Sequence, residues 1–99
     1  MNEARRIANI LGAHAGPLQA RGIESLYLFG SRLENTHAID SDIDLFCDLN
    51  PLQKVSLFDL IDIEQTLAEL LDAKVDLMSR SGLHPLIAKR IENSAVRLL

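Results

Sequence analysis

Residues Phe29 to Phe46 read FGSRLENTHAIDSDIDLF. An apolar run ends in Gly30-Ser31-Arg32. Ten residues separate Ser31 from Asp42, and Asp42 and Asp44 then open a second run with one apolar residue between them. From Asp42 to Leu49 the chain alternates. Asp42, Asp44, Phe46 and Asp48 fall on one face of a strand, and Ile43, Leu45, Cys47 and Leu49 fall on the other. The spacing predicts a strand with an apolar core face and an acidic outer face. Upstream, IESLYLF after Gly22 reads as a preceding strand.

Further out, NEARRIANILGAH carries Ala4, Ile7, Ala8 and Leu11 at helical spacing, with Gly16-Pro17 as its expected stop. Ser56 and Asp59 form a capping-box pattern at the head of a long helix over 56–72. The expected apolar stripe of that helix is Leu57, Leu60, Ile61, Leu67, Ala68 and Leu71. KVDLM, Lys74 to Met78, is a third short strand with Asp76 on its polar face, and SRSG after it is a turn. Pro85 suits the first turn of a last helix, led in by His84. Helix, strand, strand, helix, strand, helix is an α+β order: a small sheet flanked by helices.

The chain has 99 residues, and one domain over 1–99 is expected. An enzyme of this size needs its acceptor presented by something else. Apolar residues at 47% and charged residues at 24% place it with globular domains. A net charge of −4 gives no electrostatic footprint for nucleic acid, so direct nucleic-acid binding is not expected. No apolar run approaches the ~20 residues that cross a bilayer, and the first ten residues lack a signal-peptide core. Cys47 is the sole cysteine. A cytoplasmic protein without a membrane partner is the expectation.

Asp42 and Asp44 at i and i+2 have Cα atoms about 6.5–7 Å apart on one face. If the strand holding Asp76 is a neighbour, three carboxylates converge. Their mutual repulsion would be relieved by a hard divalent cation, Mg²⁺ or Mn²⁺, that also touches phosphate. Gly30 lets backbone approach a ligand, and the Ser31 hydroxyl and the Arg32 guanidinium can donate to phosphate oxygens. A lone D-x-D more often marks a solvated strand end, and a lone Gly-Ser a turn. The ordered combination is what carries the reading. A calcium loop starting at Asp40 is excluded, because its sixth and twelfth positions are Leu45 and Pro51. There is no P-loop, no dinucleotide-binding glycine motif and no zinc spacing among His14, His37, His84 and Cys47. Asp48 reads as a solvated strand end, Cys47 as core and Lys74 as a strand-edge lysine. The acids of the long helix read as a solvated face, with a basic partner surface as the sharper alternative.

YLFGSRLENTHAIDSDIDLFCDL followed by KVDLM resembles the minimal nucleotidyltransferases of the DNA-polymerase-β-like superfamily. The resemblance extends over nearly the whole chain. It implies a mixed sheet with flanking helices. It implies that Asp42 and Asp44 bind two Mg²⁺ ions, that Asp76 completes the site and helps activate the acceptor hydroxyl, and that Gly30 and Ser31, with Arg32 beside them, hold the triphosphate of ATP. It also implies AMP transfer to a hydroxyl with loss of pyrophosphate. Stand-alone members of that family are typically antitoxins that add AMP to a tyrosine of a HEPN-domain ribonuclease toxin. The implied alternative is an antitoxin that neutralises by contact alone, with its acids dispensable. Transfer to a small molecule fits less well, since such members carry extra mass for the acceptor. Asn35 stands where many relatives have Gly in the connecting loop. Homo- or hetero-oligomers are both compatible with a helix that has apolar and acidic faces.

Overall fold

Alternation puts Leu26, Leu28, Ile43, Leu45 and Cys47 on a shared apolar surface, and all five are fully buried. In the computed structural model, which describes residues 3–30 and 42–99, they are the centre of a four-stranded mixed sheet. The elements are α1 (Glu3–Gly12), α2 (Ala15–Ala20), β1 (Ile23–Phe29), β2 (Ile43–Leu49), α3 (Leu57–Leu71), β3 (Val75–Ser79), a 3₁₀ turn (Arg80–Gly82), α4 (Pro85–Ser94) and β4 (Val96–Arg97). Strand order is β3-β2-β1-β4. β2 pairs antiparallel with β1 and parallel with β3, and β1 pairs antiparallel with β4. The parallel pair needs a crossover, and α3 supplies it.

The apolar sheet face is closed by Ile7 and Leu11 of α1 and by Ile63, Leu67 and Leu71 of α3. Ser56 caps α3 reciprocally. Its hydroxyl accepts from Asp59 N–H at 3.1 Å, and its own N–H donates to Asp59 Oδ2 at 2.9 Å. Asp72 ends the helix in the left-handed region, φ 50°. The expected stripe on α3 is out of phase in part. The buried line centres on Ile63, Leu67 and Leu71, with Leu60 packed beside it. At about 100° per residue, Leu57 and Ile61 lie roughly 80–120° around from that line and are exposed.

Two further features differ from the sequence expectation. Gly16-Pro17 does not lie in a stop; both residues sit in the first turn of α2, where Pro17 has no N–H to leave unpaired. The short edge strand β4 has no sequence signal, since two residues carry no period. It is fastened by Leu98 N–H donating to Leu26 O at 2.7 Å. At the other edge, Leu77 N–H donates to Glu64 Oε2 at 2.8 Å, so that acid of α3 serves the sheet rather than solvent.

Candidate active site

β1 delivers the chain to Gly30 and β2 carries it away from Asp42. Antiparallel register sets Phe29 opposite Asp44, and parallel register sets Asp76 opposite Asp44. Neighbouring strands lie about 4.8 Å apart, so Asp44 and Asp76 stand side by side on the face away from α1 and α3. Asp44 is half-buried, and Asp42 and Asp76 are exposed. Gly30 has φ +83°, a conformation that favours glycine. A Cβ there would lie 3.2 Å from Asp44 Cγ and closer still to Oδ2. Gly30 therefore meets two demands at once, the turn and the room for Asp44.

The Asp44 carboxyl is held above the usual carboxylate range. Burial is the main cause, followed by the fields of Asp76 and Asp42. Such a group gains from a cation. The donor set is all hard oxygen, which suits Mg²⁺ or Mn²⁺. Among the described residues no three Asp, Glu, His or Cys side chains are already gathered as a cation cage. The fit lies in donor chemistry and shared face, and the side chains would have to turn inward around the ion. Ser31 and Arg32 lie outside the described residues. Lys74 is exposed, and its carbonyl accepts from Ile43 N–H at 2.8 Å, which ties the starts of β2 and β3 together.

Further along the same face is a cluster that the sequence reasoning missed. Phe46 is fully buried although it shares the acidic face. Tyr27 stacks on it with ring centres 4.8 Å apart and planes 10° from parallel, and Phe29 flanks it at 5.8 Å. Arg80 covers both rings, its guanidinium carbon 5.0 Å from the centre of Tyr27 and 5.1 Å from that of Phe46. The same guanidinium grips Asp48, with Nε to Oδ1 at 2.7 Å and Nη2 to Oδ2 at 3.0 Å. Ser25 Oγ donates to Asp48 Oδ2 at 2.6 Å, and Glu92 of α4 approaches Arg80 at 3.6 Å. Asp48 is thus no solvated end. The hydrogen bonds from Arg80 hold its carboxyl below the usual range, with Ser25 assisting. An aromatic residue at an outer-face position was the available signal, since Phe46 needed a lid. Cys47 points into the core, where burial pushes its thiol up to about 11, and this removes it as a nucleophile.

Residues 6–98 match the family model of the nucleotidyltransferase domain. The protein adenylyltransferase MntA of Thermococcus cleftensis is 35% identical over 91 residues, covering 91% of this chain and 90% of its own. The solved structures that share the fold include two of toxin–antitoxin systems. One is a toxin–antitoxin with AMP-PNP, at TM-score 0.70 and 21% identity, covering 98% of this chain and 73% of that one. The other is the tri-AMPylated Shewanella oneidensis HEPN toxin in complex with MNT antitoxin, at TM-score 0.66 and 19% identity, covering 97% and 71%.

Proposed function

The chain belongs to the nucleotidyltransferase domain family, and we propose that it is a protein adenylyltransferase that moves AMP from ATP to a hydroxyl of a partner protein. The partner is a HEPN-domain toxin, the acceptor is a tyrosine, and the protein is its antitoxin. The observation that carries the reaction is the placement of Asp44 beside Asp76, with Gly30 packed against Asp44. The relative named as an adenylyltransferase and the fold shared with an antitoxin bound to an AMPylated toxin support the acceptor class.

In this reading Asp42, Asp44 and Asp76 hold Mg²⁺. When bound, the ion neutralises charge on the transferring phosphate and the leaving pyrophosphate and lowers the pKa of the attacking hydroxyl. Gly30 lets the backbone at the end of β1 approach the triphosphate, and Ser31 and Arg32 donate to its oxygens. The acceptor oxygen forms a bond to the α-phosphorus. The bond from that phosphorus to the bridging oxygen breaks, and pyrophosphate leaves with the electron pair. Asp76, exposed at the rim, takes the hydroxyl proton. Positioning and electrostatics dominate such a transfer.

The test is intact mass of a HEPN partner after incubation with this protein, labelled ATP and Mg²⁺. The expected result is one or more added AMP units, absent with Asp42→Asn/Asp44→Asn. No addition with any nucleotide would remove the transferase reading. Full protection of cells by that double variant would leave neutralisation by contact alone.

A further inference from the structure

One guanidinium holds the three strands that bring the carboxylate site together. Arg80 opens the 3₁₀ turn that follows β3. The edge of its fork grips Asp48 of β2, with Nε to Oδ1 at 2.7 Å and Nη2 to Oδ2 at 3.0 Å. Its flat face lies 5.0 Å from the ring centre of Tyr27 on β1 and 5.1 Å from that of Phe46 on β2. Glu92 stands 3.6 Å from the remaining nitrogen, Nη1. Each nitrogen of the fork therefore already has a carboxylate beside it, and none is left over for a phosphate.

Two routes lead from this grip to the site. The first runs along the parallel pair. Asp48 lies four residues beyond Asp44, and Arg80 four residues beyond Asp76, about 13 Å along each chain. Fastening β3 to β2 at that end supports the register that sets Asp44 opposite Asp76 at the other. The second route crosses to β1. Tyr27 pairs with Phe46, and the next residue of that face, Phe29, pairs with Asp44. Phe29 also flanks Phe46, with ring centres 5.8 Å apart. Gly30 comes next, and its missing Cβ leaves the room in which the Asp44 carboxylate lies. A shift of the aromatic stack is thus a shift of Phe29, and with it of the wall against Asp44.

We propose that Arg80 is a positioning residue for the carboxylate site: it touches neither ATP nor acceptor, and it sets Gly30, Asp44 and Asp76 in place by holding β1, β2 and β3 together. Its effect on rate rests on the transferase reading above; its effect on placement does not. Arg80→Ala is expected to lower kcat for AMP transfer by about 10²-fold, the scale of a small misplacement of reacting groups, with the KM for ATP changed by less than about 2-fold. Arg80 is 36% exposed, so added methylguanidinium can reach the space it leaves and should restore the rate. Arg80→Lys keeps the charge but cannot lie flat on two rings while gripping both Asp48 oxygens, and it should also lose rate. Ile7→Val, a small loss of packing on the opposite face of the sheet, should leave kcat unchanged. Amide NMR signals read placement without any transfer. Those of Gly30 and Asp44 should move in both Arg80 variants, return when methylguanidinium is added to Arg80→Ala, and stay in place in Ile7→Val. The proposal is overturned by Gly30 and Asp44 signals that stay put in either Arg80 variant, or that Ile7→Val moves as far. It is equally overturned if methylguanidinium restores nothing, or if the loss appears in the KM for ATP, which would make Arg80 a substrate contact. An inactive parent chain would end the transferase reading and leave the NMR signals to decide this one.

Discussion

Gly30 leaves open the space in which the Asp44 carboxylate lies against the end of β1. The contact joins the residue just past the end of β1 to the first acid within β2. A methyl group there would collide with the Asp44 carboxylate, and the positive φ would strain any L side chain. Gly30→Ala is expected to displace Asp44 and lower the rate of transfer by about 10²-fold, the scale of a small misplacement of a reacting group. Single-turnover rates measure the loss. A melting curve measures the accompanying backbone strain, expected to cost at least about 1 kcal/mol.

Asp44 also makes the folded chain less stable at neutral pH. Its folded pKa is raised, mainly by burial, so its favourable contribution is present below the unfolded pKa and is lost as pH rises through the folded one. Asp44→Asn is therefore expected to raise the melting temperature at pH 7 while abolishing transfer. The gain should vanish near pH 3, where the parent carboxyl is also neutral. Thermal unfolding at the two pH values checks the sign.

Asp48 behaves in the opposite sense. Arg80 and Ser25 hold its pKa down, so its contribution is present above the unfolded pKa and is lost as pH falls through the folded one. Both Asp48 and Arg80 are about one-third exposed, and solvent screens the pair in part. Arg80→Ala removes two charged hydrogen bonds and the cover over Tyr27 and Phe46, at an expected cost of about 1–2 kcal/mol. A double-mutant cycle with Asp48→Asn should return a coupling of the same sign, and zero coupling would mean that the stack alone matters.

Cys47 should be inert. A thiol pushed up to about 11 and shielded from solvent holds almost no thiolate at pH 8. Iodoacetamide labelling followed by mass should show no adduct on the folded chain, and a full single adduct after denaturation. Rapid native labelling would mean that the β2 end of the core opens far more often than its packing implies.

Much of this molecule is legible in residue order. A short run of strand formers marks β1, and period-two alternation marks β2 and by itself assigns Asp44 and Leu45 to opposite faces. Ser56 and Asp59 announce the start of α3 through a local hydrogen-bonding pattern. What is not legible depends on partners distant in sequence. Phe46 looks exposed by alternation and is buried because Arg80 arrives from a turn 34 residues later. Asp48 looks like a loose end and is gripped by the same residue. The phase of α3 depends on where the helix meets the sheet, and a stripe of Leu57 and Ile61 fits the helical period as well as one of Ile63 and Leu67. Pro17 reads as a break because its tolerance in a first turn depends on where that turn begins. Of the proposed phosphate-binding residues, Gly30 has a described position, whereas Ser31 and Arg32 do not.

The hydrogen bond from Leu77 N–H to Glu64 bears on folding fidelity. β3 is a short edge strand, and short strands can slip in register. A slip of one residue would turn Asp76 inward and Leu77 outward. Glu64 sits on α3, on the opposite layer of the molecule, and it accepts from one particular amide of β3. A slipped strand would present a different amide and lose that bond, while burying a carboxylate. The helix thus proofreads the alignment of the strand on which the facing of Asp44 and Asp76 depends.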